Sequence, residues 1–171
     1  MQKRKQIRLP EYDYSQNGAY FVTLCAYNRL PLFGNVGQGL CPCLSPKCDL
    51  TPIGQIIQDE LTQIASRYPA TKIDKYVIMP NHIHAIIIIG DGRQGQSPCP
   101  TLGDIIRVLK SISTKTANKM DNLPGRKIWQ YRYYDHIIRN EQGYREIWRY
   151  IDDNPARWEK DRYYCIDKKG I

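Results

Sequence analysis

His82 and His84 are two of only three histidines in the chain, and they stand two residues apart at the head of an aliphatic run, Ile83 to Ile89, that follows Pro80-Asn81. In a strand, alternate side chains leave on opposite faces, so both imidazoles project from one face while Ile83 turns the other way. Two imidazoles so placed can share a metal ion. They can also form a hydrogen-bonded structural pair, and a bare His-x-His favours that plainer role. A second pairing lies near the other end of the chain. Tyr150 flanks a helical stripe of Tyr144, Ile147, Trp148 and Ile151, and Asn154 follows it by four residues. One helical turn would stack a phenol and an amide oxygen on the same flank, as a nucleophile with a neighbouring metal ligand requires. Because it precedes Pro155, Asn154 is biased away from helical angles, and Asn-Pro is also a plain stop signal.

The elements that must position these groups can be read from periodicity. Gly18 to Tyr27 is rich in aromatic and β-branched residues and reads as a first strand. Gly34 to Asp49 has no usable period and reads as a surface loop. Thr51-Pro52 supplies an N-cap and a first-turn proline for a helix whose apolar stripe is Ile53, Ile56, Ile57, Leu61 and Ile64, ending near Tyr68-Pro69. Lys72 to Met79 is a second strand, turned by Pro80-Asn81 directly into the histidine strand, so the two should pair antiparallel. Thr101-Leu-Gly-Asp104 has the form of a capping box and opens a helix buried through Ile105, Val108, Leu109 and Ile112. Ile128 to Ile138 reads as a fourth strand, and a last helix opens near Asn140. The order is β-α-β-β-α-β-α.

A chain of 171 residues, 42% hydrophobic and 25% charged, fits one folded domain. Its net charge of +8 favours polyanions, with nucleic acid a commoner partner than a membrane surface. Lys3, Arg4, Lys5 and Arg8 precede any acid and form a basic arm within residues 1–17. Arg107 and Lys110 point away from the buried stripe of their helix. Arg126, Lys127, Arg132 and Arg139 interleave with aromatics that include Tyr133, a pattern in which rings can stack on bases while cations hold phosphates. The longest apolar run is far too short to cross a bilayer, and no signal-peptide core follows the N-terminal cations, so a cytoplasmic protein with reduced cysteines is expected. Cys41, Cys43, Cys48 and Cys99 do not match a standard zinc spacing.

Taken together, Arg8-Leu9 with Tyr12-Asp-Tyr14, Gly18-Ala-Tyr-Phe-Val-Thr23, Met79-Pro-Asn-His-Ile-His84, Trp129-Gln with Tyr134-Asp-His-Ile-Ile-Arg139, and Tyr150-Ile-Asp-Asp-Asn-Pro155 resemble the REP-associated tyrosine transposases, within the HUH single-tyrosine nucleases. The resemblance implies an α+β chain with a single-domain ferredoxin- or RRM-like antiparallel sheet and packed helices. It places the catalytic domain at residues 18–158 and leaves 159–171 as a C-terminal tail. By the same resemblance His82 and His84 are the metal pair, Tyr150 the nucleophile and Asn154 the third ligand, with His136 its rival. The implied cofactor is Mg²⁺ or Mn²⁺, the implied partner single-stranded or hairpin DNA, and the implied chemistry cleavage and rejoining through a 5′-phosphotyrosine. Monomer and homodimer both remain open. Two other classes fit parts of the pattern: a non-catalytic single-strand-binding module with an RRM-like sheet, which leaves the histidines unused, and a metal phosphodiesterase, which leaves Tyr150 unused.

Overall fold

The computed structural model describes residues 17–37, 48–90 and 100–164. Four strands form its main sheet: β1 (Gly18–Cys25), β4 (Thr71–Met79), β5 (His82–Ile89) and β6 (Tyr134–Ile138). Their order is β4-β5-β1-β6, and every neighbouring pair is antiparallel. With a helical connection from β1 to β4 and another from β5 to β6, this is the ferredoxin-like arrangement expected from the sequence. The histidine strand β5 is central, paired on both edges, which explains why it is apolar on both faces.

One face of the sheet carries Tyr20, Val22, Leu24, Ile83, Ala85 and Ile87 against two helices, α1 (Pro52–Thr62) and α3 (Leu102–Met120). Each isoleucine fully buried there contributes about 1.5–3 kcal/mol of transfer free energy. The opposite face carries Phe21 and Ile86, on which Ile151 of α4 (Glu141–Asp153) is buried. The register puts both histidines on this second face: Thr23 opposes His84 and Cys25 opposes His82 across the β1–β5 ladder.

Both expected helix starts are present. Thr51 Oγ1 accepts from the Gly54 amide at 3.1 Å and donates to Leu32 O at 2.6 Å. Thr101 and Asp104 cap one another reciprocally. A four-residue helix, α2 (Ile64–Arg67), continues from α1. Gly54 permits a close crossing, since a Cβ there would fall 1.9 Å from the carbonyl oxygen of Phe33. The β4 ladder breaks register between Ile73 and Lys75. The unpaired Asp74 accepts a hydrogen bond from the Tyr144 hydroxyl of α4, so the bulge helps dock that helix.

Three expectations are corrected. Gly34 to Asp49 is not wholly loop, because β2 (Gly34–Val36) pairs antiparallel with β3 (Cys48–Leu50); residues 38–47, with Cys41 and Cys43, lie outside the described residues, as does Cys99. The fourth strand does not start at Ile128. Trp129 makes a single bridge to Ala26 and buries its indole, donating to Ser113 Oγ at 3.0 Å. The Lys110 ammonium donates to the carbonyls of Gln130, Tyr131 and Arg132 at 2.8, 3.4 and 3.3 Å, so those groups are satisfied without a ladder. Finally, Trp148 does not face the sheet with its stripe. It lies on the flank, 38% exposed, with the Lys75 ammonium 3.7 Å from its ring centre.

Candidate active site

The site is built around the two-residue turn Pro80-Asn81, which is locked from both sides. Ala26 N donates to Asn81 O at 2.8 Å, and Phe33 N donates to Pro80 O at 2.9 Å. The Asn81 side chain is buried, and its amide nitrogen donates to the carbonyls of Tyr163 at 2.8 Å and Arg29 at 3.3 Å. Those two acceptors fix which end of the amide is oxygen. Asn81 Oδ1 therefore accepts from His82 Nδ1 at 2.9 Å, and a neutral His82 must carry its lone pair on Nε2.

His84 is placed by β1. Its Nδ1 lies 2.8 Å from Thr23 Oγ1, a hydroxyl that can either donate or accept, so this ring is free to adopt either tautomer. Phe21 stacks on its face at 5.3 Å. The Nε2 atoms of the two histidines are 3.1 Å apart, and both rings are fully buried. Burial pushes the His82 pKa down to about 3, helped by the nearby charges of Arg162 and Arg29. Burial also holds His84 well below the usual imidazole range, with His82 the next contributor. Both rings are neutral at pH 7.

Tyr150 reaches this pair from α4. Its hydroxyl is 3.2 Å from His84 Nε2, its ring packs edge-on to Phe21, and it remains 42% exposed. Partial burial raises its pKa, and the Asp161 charge raises it further. Asn154 keeps helical angles (φ −58°, ψ −44°) despite preceding a proline, so the one-turn stacking with Tyr150 holds. Pro155–Lys160 continues as a 3-10 helix, which accommodates the proline that α4 could not. Tyr144 shares α4 but is engaged with Asp74, which drives its pKa up to about 12.

The turn after the 3-10 helix supplies what the sequence did not announce. Asp161 Oδ2 lies 4.0 Å from His82 Nε2 and accepts from Asn154 Nδ2 at 3.1 Å, while its Oδ1 accepts from Tyr163 N at 2.6 Å. His82, His84 and Asp161 form a group whose ligand atoms all lie within 4.8 Å of one another. Asn154 Oδ1, beside them, is buried without a hydrogen-bond partner. Neutral nitrogen donors, a carboxylate and an orphaned amide oxygen fit a divalent cation, so the group could hold a metal. Residues 159–164 are therefore not a tail. Tyr163 is buried and its ring lies 4.6 Å from that of His82, with the Arg162 guanidinium above it.

His136 is not in this group. It lies on the same sheet face but on the outer strand β6, opposite Phe21, and is exposed. The expected nucleic-acid contacts divide. Arg107, Lys110, Arg126, Lys127, Arg132 and Tyr133 line one groove beside α3. Within it Arg126 is bonded to Asp121 at 2.5 Å, Lys110 spends its donors on three carbonyls, and Tyr133 is half-buried. Burial lowers the Lys110 pKa to about 8. Arg139 is exposed just beyond the end of β6. Lys3, Arg4, Lys5 and Arg8 lie outside the described residues. Among the described residues no helix is long and apolar enough to cross a membrane.

No family model matches the chain. A Haemophilus influenzae protein described as uncharacterized is 34% identical over 176 residues, spanning 94% of this chain and 93% of its own length. Among solved structures, a REP-associated tyrosine transposase bound to a REP hairpin superposes with a TM-score of 0.59 at 22% identity, covering 95% of this chain and 93% of that one. A putative transposase from Deinococcus radiodurans superposes less well, with a TM-score of 0.46 at 17% identity over 90% of this chain and 97% of its own. The chain belongs to the family of the Haemophilus influenzae protein, and its α+β fold is that of the REP-associated tyrosine transposases.

Proposed function

We propose that the protein is a transposase-like, metal-dependent endonuclease that cleaves and rejoins single-stranded DNA through Tyr150, acting at hairpin-forming sequences. The observation that carries the reading is the approach of the Tyr150 hydroxyl to 3.2 Å from a buried, neutral histidine pair that has a carboxylate and a free amide oxygen beside it. The related fold seen bound to a REP hairpin supports DNA as the partner.

In this reading the Tyr150 oxygen attacks a DNA phosphorus. A bond forms from that oxygen to phosphorus and the bond to the 3′ oxygen breaks, leaving a 5′-phosphotyrosine and a 3′-hydroxyl that takes up a proton. The number of ester bonds is unchanged, so the reversal needs no outside energy. The phenol proton leaves through the exposed side of Tyr150. Ionising an ordinary phenol at pH 7 costs about 4 kcal/mol, and burial and Asp161 add to that cost here. Mg²⁺ or Mn²⁺ held by His82 and His84, with an oxygen from Asp161 or Asn154, would supply the positive charge that offsets it and would grip a non-bridging phosphate oxygen. Asn81 and Thr23 keep the two imidazoles aimed at that position.

A 5′-labelled strand would not report the adduct, so the test uses a 3′-labelled hairpin with a single-stranded flank, divalent ion and a denaturing gel. Wild type and Tyr144→Phe should give a labelled protein band, and Tyr150→Phe, folded by circular dichroism, should give none. Cleavage without an adduct would instead identify a hydrolase, and retention without cleavage a binding module.

A further inference from the structure

A groove of about 980 Å³ runs between α3 and residues 125–133, on the side of the sheet away from the histidines. Its floor is apolar, formed by Ile106, Ile128 and Trp129. Among the described residues that line it, six are lysine or arginine and none is acidic. Asp104 and Asp121, just outside, pair with Arg107 and Arg126, and among the described residues no acid pairs with Lys110, Lys115, Lys127 or Arg132. On the rim stands Tyr131, 97% exposed.

A single exposed tyrosine is ordinary. This one is displayed by a backbone held from three directions. Gln130 N donates to Cys25 O at 2.9 Å, the Trp129 indole is anchored on Ser113, and Lys110 clasps the carbonyls on both sides of Tyr131 as well as its own. Burying the Lys110 ammonium costs free energy, and what it secures is the position of this loop. The ring therefore meets a partner with its backbone already ordered, which is the condition under which one stacking contact yields affinity.

We propose that Tyr131 and this groove form a second nucleic-acid site, separate from the catalytic centre, in which an unpaired base stacks on Tyr131 while flanking phosphates lie against Lys127, Arg132 and Lys115. The charge of the rim selects a polyanion, and the lone projecting ring selects one with exposed bases. The two sites are linked by chain: Tyr134, three residues beyond Tyr131, packs edge-on to Phe21 at 6.3 Å beneath the catalytic tyrosine. This inference rests on the nucleic-acid reading above but not on Tyr150 as nucleophile.

The test is equilibrium binding in EDTA at fixed salt, which removes cleavage from the measurement. The probes are a fluorescent oligothymidylate 12-mer and a backbone of the same length made of abasic tetrahydrofuran phosphates. Wild type should bind the thymidylate more tightly. Tyr131→Ala should weaken thymidylate binding about tenfold and leave abasic binding within about twofold, and Tyr131→Trp should restore it. Equal losses on both probes, or no loss on either, would overturn the stacking site. Wild type that binds neither probe would overturn the nucleic-acid reading and this site with it.

Discussion

The hydroxyl of Tyr150 and Nε2 of His84 lie 3.2 Å apart, on the nitrogen that also faces His82. A cation on that nitrogen would select the tautomer with its lone pair at Nε2, which Thr23 allows by accepting from Nδ1, and would place positive charge next to the phenol oxygen. Adding Mg²⁺ or Mn²⁺ should lower the apparent pKa of one tyrosine by about 1–3 units. Difference absorbance of tyrosinate, wild type minus Tyr150→Phe, reads it; a difference spectrum indifferent to metal would remove His84 from the metal site.

The ligand set can be ranked by calorimetric metal titration. His84→Ala should abolish binding. Asp161→Asn should weaken it more than Asn154→Ala, because the amide oxygen is neutral and water can replace it. His136→Ala should be silent. A large loss with His136→Ala would mean that β6 moves toward the pair on metal binding.

Asn81→Ala removes the acceptor that holds the His82 proton on Nδ1. Such outer hydrogen bonds are worth about 10–100-fold in metal affinity, so a loss in that range is expected with the sheet intact. An unchanged affinity would show that the imidazole is held by packing against Tyr163 alone.

The buried histidines should make the metal-free fold sensitive to acid. Unfolded imidazoles take up a proton near pH 6.5, whereas folded His82 resists until about pH 3 and His84 is likewise depressed. Between those values the unfolded chain binds more protons, so stability is full above about pH 7 and falls as pH drops toward 3. Urea midpoints measured across that range should show the fall, and a folded His82→Gln, His84→Gln double variant should show less of it.

Gly54→Ala tests the crossing of α1 over the chain at Phe33, just before β2. A methyl group 1.9 Å from the Phe33 carbonyl cannot be accommodated by a side-chain turn, since the obstacle is backbone. A destabilisation at the upper end of about 1–3 kcal/mol is expected, read by chemical denaturation. A neutral effect would mean that Phe33 and α1 can separate without cost.

Much of this fold was legible because it is locally encoded. The aliphatic run after His82, the Thr51 and Thr101 caps and the apolar stripes of α1 and α3 each depend on residues within a turn or two. Tyr150 and Asn154 were legible for the same reason. Asp161 was not: it lies beyond a proline with no periodicity around it, and it is held at the histidines by Asn154 and by the docking of Tyr163 on Asn81, 82 residues away. Ile128 to Tyr133 misled for a related reason. Their β propensity is real, but a distant lysine claims the carbonyls, and no pattern within that segment records the theft. Trp148 fitted its helical stripe, yet the Lys75 ammonium, itself paired with Asp152, offered it a partner at the surface.

The bond from Asn81 to the Tyr163 carbonyl also sets a clock on synthesis. The histidines of β5 are made well before the carboxylate of Asp161 and the ring of Tyr163 that close over them. Until then the pair is open on one side and lacks an anion to balance a cation. A nascent chain therefore carries both imidazoles well before the carboxylate of Asp161 is made, and a chain truncated before that residue would lack the acidic member of the group.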